Sequence, residues 1–143
     1  MEGIILDTNV LSELMRPKPD QAVMDWFAGH TAAYFHITAI TQAEILLGIA
    51  LLPAGKRRNE LANAAEAMFK EDFAERCLPF DSGSAEHYAR IVSKRRRSGR
   101  SITTEDAQIA SIALSRRFAL ATRNTKDFLH IDGLKVLNPW QTE

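Results

Sequence analysis

The chain has 143 residues, 45% hydrophobic and 25% charged, with 18 Lys+Arg against 18 Asp+Glu. That length supports one domain over 1–143 with its own core, and the single Cys77 excludes an internal disulfide and fits a reducing compartment. No basic-plus-apolar leader is visible and no apolar run approaches the ~20 residues that span a bilayer, so the expectation is a soluble, cytoplasmic protein without a membrane partner. A net charge of zero is silent on nucleic acid, because an acidic cleft and a basic rim can cancel.

In chain order, Ile4, Ile5 and Leu6 predict a short buried strand, and Val10, Leu11 and Leu14 recur at helical spacing directly after it. Arg16-Pro17-Lys18-Pro19 breaks the chain before a helix over Asp20–Gly29, with Val23, Trp26 and Phe27 inward. A strand at Tyr34–Ile37 leads into a long helix that Thr38 opens and Pro53-Ala54-Gly55 stops. An Ala-rich amphipathic helix follows over Lys56–Arg76, with Leu61, Ala64, Ala65, Met68 and Phe69 on one face. Cys77–Phe80 reads as a strand. Asp81 or Ser82 then starts a helix that runs out in Lys94-Arg95-Arg96-Arg97-Ser98-Gly99-Arg100. Thr103–Phe118 is the next helix, Ala119–Thr122 a strand, Asn124–Phe128 a turn and Lys135–Leu137 the last strand. Helices alternating with short apolar strands specify an α/β fold with a parallel sheet. The apolar faces over Gly29–Leu52 and Leu61–Phe69 exceed what one small sheet covers, and point to a dimer face or a partner's groove.

Three acids sit where bare carboxylates are costly. Asp7 ends the first strand, where open parallel sheets form their sites. Glu44 shares a helical stripe with Ile40, Leu47 and Leu51, and Asp106 shares one with Ile102, Ile109, Ala110 and Ala113. Each acid also has a capping reading: Asp7 or Thr8 as an N-cap, Thr41-x-x-Glu44 and Thr103-x-x-Asp106 as capping boxes. Capping accounts for each acid alone, but not for two of them sharing faces with Ile and Leu. If they converge, they raise one another's pKa until one takes a proton, and a hard divalent cation removes that conflict. Oxygen ligands without Cys or His suit Mg2+ or Mn2+ over zinc. A water polarised by such an ion attacks phosphodiesters.

The stretches LDTNVLSEL, ITQAEILLGI, TTEDAQIASIA and ATRNTKDF followed by LNPW together resemble PIN-domain ribonucleases. More narrowly, they resemble VapC toxins of type II toxin–antitoxin pairs, in the FitB-like branch. The likeness runs over nearly the whole chain, with the motifs in family order. It implies a three-layer α/β/α sandwich around a short, mostly parallel sheet, and Mg2+ or Mn2+ in an acidic pocket. It also implies endonucleolytic cleavage of RNA, a homodimer, and neutralisation by a small VapB-like antitoxin, through which alone the complex holds operator DNA. Carried over by position, Asp7, Glu44 and Asp106 are the catalytic, metal-holding acids, and Asn9 and Thr8 support them. Relatives carry the fourth acid either where this chain has Asn124 or where it has Asp127. Asp127 is taken here as the fourth catalytic acid and Asn124 as a supporting hydrogen-bonding residue. One acid fewer leaves open whether one ion binds or two.

The basic run Lys94–Arg100 either tracks a phosphate backbone or is a solvated helix end. Arg97 and Arg100 are its candidate RNA contacts, with Arg123 beside the pocket. His30, His36, His87 and His130 fall in none of the acidic motifs and receive no role. The rival reading is a catalytically idle PIN-like subunit that binds an antitoxin in a DNA-binding regulatory complex. A complete acidic triad argues against it, because unused buried carboxylates destabilise a fold. A phosphoacceptor receiver domain is excluded, since it needs an acidic pair after the first strand and Asp7 stands alone there.

Overall fold

The computed structural model describes residues 3–141. Its centre is β1 (Ile4–Leu6), whose three side chains are all buried and divide between the two faces of the sheet. The other strands are β2 (Phe35–Thr38), β3 (Cys77–Leu78), β4 (Ala119–Ala121) and β5 (Val136–Leu137). They lie in the order β3-β2-β1-β4-β5, and every pairing is parallel. Ile4 stands opposite both Phe35 and Ala119, so β1 is paired on both edges. Parallel neighbours need crossover helices, and those helices cover both faces.

The helices are α1 (Thr8–Leu14), α2 (Gln21–Ala28), α3 (Ala39–Ala50), α4 (Lys56–Ala67), α5 (Ser82–Arg97) and α6 (Thr104–Arg116). Strand alternation assigns the layers. Ile4, Leu6, Phe35, Ile37, Ala119 and Ala121 face Val10 and Leu11 of α1, Ile45 of α3 and Ala65 of α4, with Trp26 and Phe27 of α2 at the edge. Ile5, Leu78 and Leu120 face Ile91 of α5 and Ile109, Ala110, Ile112 and Ala113 of α6. This is the α/β/α sandwich that the family resemblance implies, built on the parallel sheet that the alternation of elements predicts. Gly3 opens β1 because a Cβ there would lie 2.8 Å from the Phe118 ring.

Several boundaries differ from the sequence reading, each for a local reason. The predicted single helix Lys56–Arg76 is α4 followed by a π-type turn at Met68–Asp72. There the Phe73 N–H reaches back to the Met68 carbonyl at 3.1 Å, and the Phe73 side chain is buried. Glu75, Arg117 and His130 take left-handed backbone conformations that end their segments. The Thr41-x-x-Glu44 capping box does not form. Thr38 caps α3 instead, its hydroxyl accepting the Thr41 N–H at 3.1 Å.

The stripe of Ile40, Glu44, Leu47 and Leu51 is also not a core face: Leu47 and Leu51 are 59% and 76% exposed, and Glu44 is exposed with them. The residues of α3 that bury are Thr41 and Ile45. So α3 has apolar residues on two sides and only one of them packs on the sheet.

Candidate active site

Asp7 follows β1 without a gap, and its own N–H continues the ladder by donating to the Ala121 carbonyl at 2.9 Å. The backbone is extended there and turns directly into α1. Its carboxylate is held at both oxygens. Oδ1 accepts the Thr8 N–H at 2.8 Å, while Oδ2 accepts the Thr122 hydroxyl at 2.8 Å and the Asn9 amide at 3.4 Å. The capping reading of Asp7 therefore holds: one oxygen caps α1, while the other belongs to a side-chain network. With 5% of its surface exposed, Asp7 has a pKa raised by burial first. The Glu44 and Asp127 charges raise it further, and the Thr122 and Thr8 hydrogen bonds oppose them.

Asn9, in the first turn of α1, binds across to the segment after β4. Its Nδ2 donates to Thr122 Oγ1 at 3.3 Å and its Oδ1 accepts the Arg123 N–H at 3.2 Å. The Asn124 N–H adds a third bond to Thr122 Oγ1, at 3.1 Å. Thr122 is fully buried, and its one hydroxyl joins Asp7, Asn9 and Asn124. Sequence reasoning gave Thr122 no role. The available signal was its place at the end of the β4 segment, in register with Asp7 at the end of β1.

Glu44 reaches the same region from α3. The Thr8 hydroxyl donates to its Oε1 at 2.7 Å and lies 3.0 Å from the Thr41 hydroxyl, so the α1 and α3 starts are tied through oxygens. Asp106 is in the first turn of α6, whose N-cap Thr103 accepts the Asp106 N–H at 3.1 Å. Its carboxyl is pushed up to about 6, by burial first and then by the charge of Asp7, with Asp127 and Glu44 adding and the Thr103 hydroxyl opposing. Asp127 is exposed in the 3-10 turn Thr125–Phe128, and its charge reaches both Asp7 and Asp106. The fold thus draws Asp7, Glu44, Asp106 and Asp127 into one electrostatic field. Among the described residues no three His, Cys, Asp or Glu side chains close into a cage that would itself hold an ion.

The basic candidates separate. Arg123 is exposed, with its guanidinium 4.9 Å over the Trp140 ring. Arg97 is exposed and bonds only weakly to Ser93 Oγ, at 3.4 Å. Arg100 lines a cavity of about 480 Å3 at the end of α5 that none of the four acids borders. Cys77 donates to Gln42 Oε1 at 3.5 Å, and burial pushes its thiol up, away from nucleophilic use.

A parallel β3-β2-β1-β4-β5 sheet with this acid arrangement can be compared with known proteins. The family model described as PIN domain matches residues 4–134. The chain belongs to the PIN-domain family. This PIN domain is 40% identical over 138 residues to "VapC ribonuclease Y4jK" of Sinorhizobium fredii, covering 96% of this chain and 98% of that protein. It is 41% identical over 137 residues to "Toxin FitB" of Neisseria gonorrhoeae, with 96% and 98% covered. Among solved structures, the one titled "Structure of FitAB bound to IR36 DNA fragment" contains a chain that superposes with a TM-score of 0.90 at 41% identity, covering 98% of this chain and 97% of that one.

Proposed function

We propose that this PIN domain is the toxin of a VapBC-type toxin–antitoxin pair, an endoribonuclease that depends on Mg2+ or Mn2+ and is inhibited by a small VapB-like antitoxin. The observation that carries the reading is the shared field of the four carboxylates Asp7, Glu44, Asp106 and Asp127, in which burial first and then the charge of Asp7 push Asp106 up to about 6. The relatives named VapC ribonuclease and toxin FitB, and the FitAB neighbour, support it over nearly full length.

The donor set fits a hard cation. It offers carboxylate oxygens without Cys or His, and Mg2+ in particular keeps several waters in its shell and needs few direct ligands. Asp7, Asp106 and Glu44 would hold the ion, and Asp127 would join through water. When bound, the ion supplies Lewis acidity for in-line displacement at phosphorus and makes an attacking water acidic. The chain's own residues do the rest. Thr8, Thr122 and Asn9 fix Asp7 so that no rotamer search precedes the reaction. Thr8 and Thr41 orient Glu44. Asp127, exposed in its 3-10 turn, would be the base available to take a proton from water. Arg123, propped on Trp140, receives a substrate phosphate, and Arg97 and Arg100 extend the RNA path.

Two apolar surfaces suit the partners. Leu46, Leu47 and Leu51 project from α3, exposed by 47%, 59% and 76%, and form the face of a homodimer. A groove of about 800 Å3 between α1, α2 and α4, lined by Leu11, Leu14, Met15, Phe27, Leu61 and Met68, takes the antitoxin, and DNA is held by the antitoxin alone. No described helix is long and apolar enough to cross a membrane.

The test incubates purified, antitoxin-free protein with total cellular RNA, with Mg2+, Mn2+ or EDTA, beside Asp7→Asn. Discrete bands that need the metal and vanish in the variant support the reading. A folded wild type that cuts nothing with either metal overturns it in favour of the idle regulatory subunit.

A further inference from the structure

Among the described residues Arg95 is the one buried arginine, with 8% of its surface exposed. Among the described residues no carboxylate pairs with it. Its guanidinium is satisfied instead by three backbone carbonyls. Nη1 donates to Ser101 O at 3.1 Å, and Nη2 donates to Asp127 O at 3.2 Å and Leu129 O at 2.7 Å. Its own carbonyl is used too, accepting the Arg100 N–H at 2.9 Å and the Ser98 hydroxyl at 3.1 Å. A buried cation is costly unless its donors are met, so a planar fork of five donors locks whatever carries the acceptors.

Those acceptors sit on the two segments that bring acids to the pocket. Ser101 lies two residues before Thr103, the cap that fixes the start of α6 and the Asp106 N–H. Asp127 and Leu129 flank Phe128, whose ring is buried in the core beneath the 3-10 turn. Arg95 touches neither carboxylate, and it joins their backbones through one rigid group.

We propose that Arg95 is a positioning residue for the acidic pocket: by clamping the Ser101, Asp127 and Leu129 carbonyls it sets Asp106 and Asp127 relative to Asp7. The proposal rests on the metal-dependent nuclease reading and deepens it. Lysine keeps the charge, but its single ammonium lacks the planar fork that holds carbonyls from two segments together. Arg95→Lys therefore separates positioning from charge.

Three readouts are taken on wild type, Arg95→Lys, Arg95→Ala and Arg96→Lys, an exposed control. In the metal-free proteins, amide hydrogen exchange at residues 125–129 and 101–106 rises at least about tenfold in Arg95→Lys while α1 and β1 keep wild-type protection. Mn2+ affinity falls at least about tenfold in Arg95→Lys and not in Arg96→Lys. In RNA cleavage, kcat falls at least about tenfold with KM within about threefold, and added guanidinium at low millimolar concentration restores part of the kcat of Arg95→Ala where ammonium does not. Wild-type Mn2+ affinity and kcat in Arg95→Lys overturn the proposal while leaving the nuclease reading intact. So does a uniform rise in exchange, or loss of the whole fold in both Arg95 variants, since either makes Arg95 an ordinary core residue. A wild type that neither binds Mn2+ nor cuts RNA removes the nuclease reading and this proposal together.

Discussion

At the scale of single residues, the pocket is a balance between carboxylates that repel and hydroxyls that hold them. Asp106 carries the clearest sign of it, raised to about 6 by burial and by Asp7. Between its ordinary value near 3.8 and 6, the folded protein binds more protons than the unfolded one, so stability falls as pH rises through that window. The metal-free protein should thus melt higher at pH 5 than at pH 7.5, and Asp106→Asn should flatten the difference by melting at least as high as wild type at pH 7.5. A large drop in the variant's melting temperature would make Asp106 a structural cap. Thr122→Val keeps the shape and removes the hydroxyl shared by Asp7, Asn9 and Asn124. Leaving the buried Asp7 oxygen short of a donor costs about 1–3 kcal/mol, measurable by denaturant unfolding, and should weaken Mn2+ binding as well. Asp7 and Asp106 stood out in the sequence because acids beside apolar residues that bury break a visible pattern, whereas Glu44 stood out for a stripe that is in fact exposed. Thr122 and Arg95 did not: a threonine ending a strand and an arginine in a basic run look ordinary until partners far along the chain are known.

The elements show why the pocket is where it is. Short parallel strands end together at one edge, and the segments leaving β1 and β4 meet through Asp7, Thr122 and Asn9, while α3 delivers Glu44 from its second turn and α6 delivers Asp106 from its first. The alternation of helices and strands was readable along the chain because its punctuation is chemical: Pro17, Pro19, Pro53 and Gly55 sit between elements. What was misread were features set by tertiary contacts. The wide turn at Met68–Asp72 forms as Phe73 enters the core, and the exposed stripe of α3 has the same periodicity as a buried one. The tight approach of Gly3 to Phe118 gives an element-scale test. Gly3→Ala forces ring or strand to move and should destabilise the protein by about 1–3 kcal/mol, read by thermal unfolding, with wild-type stability counting against the packing described.

At the scale of the whole molecule, the described sheet and helices leave apolar surface open at the α3 leucines and in the groove along α1 and α4. If α3 forms the homodimer, Leu47→Glu with Leu51→Glu should shift sedimentation from dimer to monomer without changing the far-ultraviolet circular dichroism spectrum. A dimer that persists would place the interface elsewhere. In the function proposed above, the acids around Asp7 form a site that a divalent cation completes. Calorimetric titration of Mn2+ into metal-free protein at pH 6, repeated in buffers of different ionisation enthalpy, tests it most directly. Wild type should bind and release protons, because Asp106 is close to half-protonated there, and Asp106→Asn should bind at least about tenfold more weakly with no such release. Equal binding by wild type and Asp106→Asn, or binding without proton release, would show that Asp106 does not hold the cation.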